Sequence, residues 1–176
     1  VSQSFMNRLV PSLPTIAEPV SETVQGAKIS GRSRVSNEIK VALVPDPSKL
    51  NFQIQTNGHV SSDTVARTKT FRIMNQGQAN FQVYKQISVN KNGIDASKKV
   101  YSTSTAHQAL VGIQSKLDNV PLFGHLARRA AEKRVNEQAP VTNQLFRRKV
   151  ASSAEARVEE ELAKQIAKVQ TSAVEN

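Results

Sequence analysis

Apolar and polar residues alternate along the middle of the chain, as expected for strands that cover a core with one face and meet water with the other. The alternation is clear in EIKVALV (residues 38–44) and in LNFQIQT (residues 50–56). The longest run is ANFQVYKQISV (residues 79–89), in which Lys85 interrupts the apolar face and Tyr84 the polar face. These runs predict antiparallel strands with one buried side.

Short polar segments separate the runs and predict turns. Residues 45–48 (PDPS) hold two prolines, which lack the amide that would continue a ladder. Asn57-Gly58, NQGQ at residues 75–78 and NKNG at residues 90–93 are further turn signals. The polar stretch that follows Gly58 changes parity, which predicts a bulge or bend within residues 58–68.

The segment before the helices is less regular. VYSTST (residues 100–105) is rich in β-branched and hydroxyl residues, which favours an exposed strand. Residues 106–117 fit both a strand and a helix, and Gly112 weakens both interpretations. Residues 38–117 are therefore predicted to form an antiparallel meander of four to six strands.

Two helices are predicted after the sheet. Residues 122–138 are rich in Ala, Arg and Glu, and Pro140 is expected to end this first helix. Across residues 142–171, apolar residues recur at steps of three and four, so a continuous apolar stripe is expected to face the core. A helix of about 30 residues is about 45 Å long. Because that exceeds the width of a small sheet, part of it is expected to project or to pack on another copy.

The first segment lacks a sustained period. Residues 1–36 hold three prolines and two glycines, which favours an extended arm or linker, with a short helix over residues 2–10 as the alternative. The expected division is an arm at residues 1–36, a sheet region at residues 37–119 and a helical region at residues 120–176 that packs on the sheet. Helices follow strands instead of alternating with them, so the predicted class is α+β.

Composition excludes several classes of site. The 176 residues contain no Cys, which excludes disulfides, thiolate metal sites and cysteine nucleophiles. Trp is absent and aromatic residues make up only 5% of the chain, so the supply for base-stacking platforms is small. No run approaches the roughly 18 apolar residues of a membrane span, so no transmembrane segment is predicted. The abundance of Asn, Gln, Ser and Thr favours an extracytoplasmic location, in an envelope or as a secreted protein.

The formal net charge of +10 favours anionic partners. Residues 61–117 hold eight Lys or Arg against two Asp or Glu, and residues 118–149 hold seven against three. If the chain reverses at Pro140, two basic groups of the helical region converge at one end as an anion-binding site. The candidate ligands are Arg128, Arg129, Lys133, Arg134, Arg147, Arg148 and Lys149. A further set in the sheet, Arg67, Lys69 and Arg72, cannot all line one face of a flat strand.

The remaining titratable residues predict no catalytic, metal or cofactor site. His59 has Ser61, Ser62 and Asp63 nearby, but neighbours in one strand point to opposite faces and a triad needs groups from separate segments. His107 and His125 lack a ligand at i+3 or i+4. The acidic group at residues 155–161 has the spacing of pairs on a solvated helix surface.

These observations favour a non-enzymatic structural or protein-binding module of a larger envelope, secreted or virion assembly, with a protein partner or another copy as its contact. The alternative is an anion-binding module that places the basic helical residues on nucleic acid or an acidic polymer. A hydrolase is the third class, and the sequence names no nucleophile for it.

Overall fold

The computed structural model describes residues 14–24, 26–90, 93–96, 98–116, 118 and 123–174. One helix follows the strands, and this order confirms the predicted α+β class. The six strands are β1 Ile16–Val24, β2 Ala27–Val44, β3 Leu50–Arg67, β4 Phe71–Asn90, β5 Gly93–Asp95 and β6 Tyr101–Ser115, and the helix is α1 Phe123–Val174.

All strand pairs are antiparallel and belong to one sheet. β1, β2, β3 and β4 pair in sequence, and β5 and β6 both pair with the remaining side of β4. The predicted meander is therefore correct only in part. Because β5 has just three residues, it leaves most of that side of β4 to β6.

The inner face of the sheet, defined as the side that carries α1, holds the core. The predicted alternation is confirmed here, since Phe81 is 5% exposed and Val83 is 1% exposed. Val150 and Ala154 of α1 are buried against them, with Phe146 and Val158 packed at the border. The buried cluster on the sheet side consists of Val35, Val60, Ala79, Phe81 and Val83.

The lysine that interrupts the apolar run belongs to this inner face. The side chain of Lys85 is 8% exposed, and its Nζ lies 3.8 Å from Oε1 of Glu159 on α1. A buried ammonium needs a charged or hydrogen-bonding partner, and the helix supplies one.

The structure replaces the two predicted helices with one helix of 52 residues that runs through Pro140. Proline removes the amide that would bond the carbonyl of Asn136. Both Pro140 and Asn136 are exposed, so water can bond that carbonyl. On either side, Ala139 and Asn143 turn toward the sheet and are half-buried, and packing of this face maintains the helix across the proline.

Hydrogen bonds join α1 to β6. The side-chain oxygen of Asn143 accepts the backbone amide of Gln108 at 2.8 Å. The hydroxyl of Ser104 donates to the carbonyl of Arg147 at 3.1 Å. One side of the helix is thereby fixed along the last strand.

Ion pairs join the same helix to β1 at the opposite edge of the sheet. Lys149 pairs with Glu22, and Arg157 pairs with Glu18. The two glutamates are four residues apart on β1 and meet cations eight residues apart on α1, so the pairs fix the direction of the helix across the inner face.

Two predicted turns are wrong, because the glycines that suggested them lie inside continuous strands. A Cβ on Gly58 would stand 2.1 Å from Cζ of Phe81, and a Cβ on Gly77 would stand 2.5 Å from Oγ of Ser62. Glycine is needed at both positions because side chains of the core approach the backbone closely.

The predicted bulge within residues 58–68 is also wrong, since the pairing of β3 is regular. The register shifts instead between Met74 and Asn75 of β4, opposite Val111 of β6. Val111 is the extra residue of this bulge and is 58% exposed.

The segment predicted as an arm is part of the sheet from Ile16 onward. Pro19 is accommodated because β1 is an edge strand, where a missing amide breaks no ladder on its open side. Gly26, with φ of +79°, lies in the connection to β2. Residues 1–13 of the predicted arm lie outside the described residues. The ambiguous segment at residues 106–117 continues β6 as far as Ser115.

The turn predicted at residues 45–48 is confirmed, since β2 ends at Val44 and β3 begins at Leu50. Asp46 organises it by accepting the Ser48 amide at 2.9 Å, the Ser48 hydroxyl at 2.7 Å and the Asn51 amide group at 2.8 Å. The hydrogen bonds from Ser48 lower the pKa of Asp46 below its usual value of 3.8, because they favour the carboxylate.

Within the described residues, no helix combines the length and the apolar character that a membrane span requires.

Candidate functional site

The outer face of the sheet points away from α1 and is built mainly from polar and charged side chains, with Asp63 among them and Val65 and Met74 as an apolar pair. The pairing register shows which residues belong to this face, because side chains that stand directly opposite on neighbouring strands share a face. Most of its middle rows are neutral hydrogen-bonding residues: Gln55, Asn57, Ser61, Gln78, Asn80, Gln82, Thr103 and Thr105.

Three cations stand side by side in one row at the end of this face. Lys28 of β2 pairs with Arg67 of β3, which in turn pairs with Arg72 of β4. Side chains directly opposite on neighbouring strands are about 5 Å apart at Cβ. We call Lys28, Arg67 and Arg72 the cation row. Among the described residues, no carboxylate forms an ion pair with any of its members.

The connection between β3 and β4 fixes the row. The Thr68 hydroxyl accepts the Phe71 amide at 2.9 Å, and the Thr68 amide donates to the Phe71 carbonyl at 2.9 Å. These bonds close the hairpin directly beside Arg67 and Arg72. Arg67 and Arg72 share one face because they lie on different strands, with Lys69 in the connection between them.

A shallow cavity of about 280 Å³ opens beside the row, with Arg67, Arg72 and Lys116 in its lining. The amide of Lys116 donates to the carbonyl of Thr70 at 3.1 Å, which ties the end of β6 to the same hairpin. Arg67 Nη1 donates to the Ser30 hydroxyl at 2.9 Å, which orients its guanidinium. The cavity therefore brings together three cations from three separate strand ends.

No sequence pattern points to Lys28 or Lys116. Neither lies in a basic run, and their closeness to Arg67 and Arg72 depends on which strands pair and in which register. A correct hairpin register for residues 67–72 would have revealed the central pair.

Two more arginines lie on the outer face of β2. Arg32 stands opposite Asp63 of β3, and Arg34 stands opposite Ser61. Both arginines are exposed. They extend the positive charge of this face from the cation row toward its middle.

A pair of tyrosines stands toward the other end of the outer face. Tyr84 of β4 is in register with Tyr101 of β6, and Tyr101 is 70% exposed. Their row continues through Gln55 and Lys40 on the adjacent strands. Tyr84 is half-buried. An aromatic pair with one exposed ring among hydrogen-bonding groups is a surface on which a planar ring can stack.

The seven basic residues predicted as anion ligands do not meet at one end of a helical hairpin, because α1 is continuous. Arg129 and Arg147 are 18 residues apart on α1, about 27 Å at 1.5 Å per residue. Arg128 pairs with Asp118 at 3.0 Å, Lys133 with Glu137 at 4.0 Å and Lys149 with Glu22.

The other four predicted ligands are Arg129, Arg134, Arg147 and Arg148. They are exposed, and the described residues show no ion pair to them. Anion binding by the helical residues stays a prediction, now for cations spread along one helix.

The histidines and carboxylates are distributed as isolated groups. His59 Nδ1 lies 2.9 Å from the side-chain oxygen of Asn80, and its neighbours across the sheet include Ser36. Glu160 pairs with Lys164 at 2.7 Å, and this hydrogen bond lowers the pKa of Glu160 and raises that of Lys164. Within the part of the chain that the structure describes, no three His, Asp or Glu residues are grouped as metal ligands.

The outer sheet face is therefore the candidate site, with the cation row at one end and the tyrosine pair toward the other. A comparison of the chain with models of known protein families finds no match, and a search of curated proteins finds none either.

Proposed function

We propose that this chain is a non-catalytic binding module whose outer sheet face holds a nucleic acid through its phosphate backbone. The observation that carries the proposal is the cation row, in which Lys28, Arg67 and Arg72 stand in register without a carboxylate. This is an anion-binding function, and it uses sheet residues in place of the helical residues favoured by the sequence.

Like charges directly opposite on neighbouring strands destabilise a sheet. The backbone of a bound nucleic acid would bring several phosphates to the cation row and offset this repulsion. Its binding would also release counterions from the nucleic acid. Arginine suits the role because its planar guanidinium can bond two phosphate oxygens at once. The cavity beside the row adds Lys116 as a further phosphate ligand.

The rest of the outer face favours a nucleic acid strand over a small anion or an acidic polysaccharide. Its middle rows offer amide and hydroxyl groups that can bond sugars and base edges. The Tyr84–Tyr101 pair, in which Tyr101 is exposed and Tyr84 half-buried, offers rings on which bases can stack, which a polysaccharide sulfate does not need. With one aromatic pair, the expected binding is to single strands and tolerant of sequence.

The test is fluorescence anisotropy of a labelled single-stranded oligonucleotide over a series of salt concentrations. The variant Arg67→Gln/Arg72→Gln removes two members of the cation row. The matched control, Arg129→Gln/Arg134→Gln, removes the same charge from exposed positions on α1. Loss of two phosphate contacts makes the slope of log K against log salt shallower by about 1.4 for a single strand.

We expect the sheet variant to bind more weakly and with the shallower slope, and the control to bind nearly as the unmodified chain does. Equal losses in both variants would mean that net charge alone drives binding. A larger loss in the helix variant would transfer the site to the basic residues of α1. Tighter binding to heparin than to the oligonucleotide would assign the face to acidic polysaccharide. Each of these three results overturns the proposal.

A further inference from the structure

An open groove runs between α1 and the β1 side of the inner face. It encloses about 640 Å³, and its lining is mostly apolar. Val20 and Val24 of β1 and Ile29 of β2 form part of its floor, while Val141 and Leu145 line it from α1. The groove is continuous with the core but has no segment of the described chain above it.

The α1 wall of the groove exposes apolar side chains that a segment of a macromolecule could cover. Val141 is 54% exposed and Leu145 is 46% exposed, although both lie on the wall of an apolar groove. The helix packs mainly on β6 and β4 and reaches β1 through the ion pairs of Lys149 and Arg157. A contiguous exposed apolar surface of this kind marks an interaction site.

We infer that a second copy of this chain covers the groove, with the two α1 helices packed antiparallel about a two-fold axis that passes between Val141 and Leu145, level with Asn143. Such an axis pairs residues that are equally distant from Asn143 along the helix. Val141 of one copy then meets Leu145 of the other, and the contact repeats on the other side of the axis. Gln138, Val141, Leu145 and Arg148 follow one another at steps of three and four, the spacing of a helix-pairing seam.

Charge complementarity supports this occupant. In the antiparallel arrangement, Glu137 of one copy lies within one residue of the level of Arg148 of the other, since they stand six and five residues from Asn143. Glu137 is well exposed, and among the described residues its ion pair is the 4.0 Å contact with Lys133. Arg148 is exposed and forms no ion pair among the described residues. Glu137 of each copy can therefore pair with Arg148 of the other, which gives two ion pairs per dimer.

The helix is also longer than its contact with the sheet. At 52 residues it extends about 78 Å. Hydrogen bonds and ion pairs from the strands reach it between Asn143 and Glu159. The seam at residues 138–148 overlaps the start of this anchored part, so the surface offered to the second copy is held in place by the sheet. The groove lies on the face opposite the cation row, so this contact stands apart from the proposed nucleic acid site.

The first test is the mass of the full chain by light scattering during size exclusion, over a dilution series. We expect twice the monomer mass of 19.3 kDa. Leu145→Glu should return the chain to a monomer with an unchanged circular dichroism spectrum. The matched control is Leu50→Glu, at an apolar residue that is 57% exposed and remote from the groove, and it should stay dimeric.

Charge exchange and cross-linking then test the arrangement. Glu137→Lys and Arg148→Glu should each weaken the dimer at least tenfold, and the double variant should recover most of the loss. Because the chain has no cysteine, a mixture of Val141→Cys and Leu145→Cys chains should form disulfide-linked dimers on mild oxidation. A Tyr101→Cys chain should form none under the same conditions. A monomer at every concentration, a dimer that Leu145→Glu leaves intact, or a failed charge exchange each overturns the inference.

Discussion

The packing of Phe81 over Gly58 gives the sharpest test of how the sheet and its core are built. An alanine Cβ at position 58 would lie 2.1 Å from Cζ and 2.4 Å from Cε1 of Phe81, with Asn37 Oδ1 at 2.7 Å on another side. The ring of Phe81 is buried in the core, so it cannot move aside without displacing its neighbours. Gly58→Ala should therefore overpack the core.

The expected cost follows from two opposed effects. Overpacking costs about 1–3 kcal/mol, and the stiffer unfolded chain returns about 0.4–1 kcal/mol. Gly58→Ala should lower the free energy of unfolding by about 1–2 kcal/mol. Phe81→Ala alone should lower it by about 3–5 kcal/mol, because it leaves a cavity.

The double variant decides whether the contact is the cause. With the ring removed, the alanine at position 58 has room and fills part of the cavity, so Gly58→Ala/Phe81→Ala should be about as stable as Phe81→Ala. The coupling free energy should be about 1–2 kcal/mol.

Chemical unfolding followed by circular dichroism measures all four species. Gly112→Ala is the control, because its Cβ would meet only the flexible end of Met74, at 3.0 Å. Costs of Gly58→Ala and Phe81→Ala that add to within about 0.3 kcal/mol would refute the reasoning.

Three further outcomes follow from single contacts. Gly31→Ala should lower the free energy of unfolding by more than Gly58→Ala, because its Cβ would meet a backbone carbonyl at 2.0 Å; equal costs in chemical unfolding would contradict this. Lys85→Met should leave stability unchanged or raise it by about 1 kcal/mol, whereas Glu159→Gln should lower it by stranding the buried ammonium; the reverse order would contradict the pairing. Ser48→Ala should raise the pKa of Asp46 toward 3.8 in an NMR titration. The pKa of Asp46 is lower in the folded chain than in the unfolded chain, so its carboxylate stabilises the fold at neutral pH. This stabilisation is lost as pH falls through the folded pKa, and Ser48→Ala should make the loss smaller; an unshifted pKa of Asp46 would contradict the prediction.

The alternation of buried and exposed side chains could be predicted from the sequence, because burial of one sheet face requires it within each strand. Alternation alone predicts Phe81 and Val83 on the buried face, and they lie there. Asn57-Gly58 predicts a turn that does not form, because a glycine required by a turn and a glycine required by a close side chain look the same in sequence. Only the position of Phe81, 23 residues further along, distinguishes them.

The continuity of α1 through Pro140 also depends on contacts that are distant in sequence. Proline removes one hydrogen bond, and local rules end a helix there. Tertiary packing of Phe146 and Val150 on the sheet outweighs that loss, and it depends on partners that are distant in sequence. The candidate site was missed for the same reason, since Lys28 and Arg72 are brought into one row by the pairing of three strands.

The cation row is difficult to explain by folding alone. Arg32, on the same face, has an opposite charge as its neighbour, since it stands opposite Asp63. In the row, Arg67 has a cation on both sides, an arrangement that lowers the stability of a sheet. If the row served only the fold, replacing Arg67 by a neutral residue would improve the protein without loss. If the row holds phosphates, the same replacement should stabilise the free chain slightly at low salt and weaken its complex with a nucleic acid. These opposite effects on stability and binding are what the proposed function requires of this row.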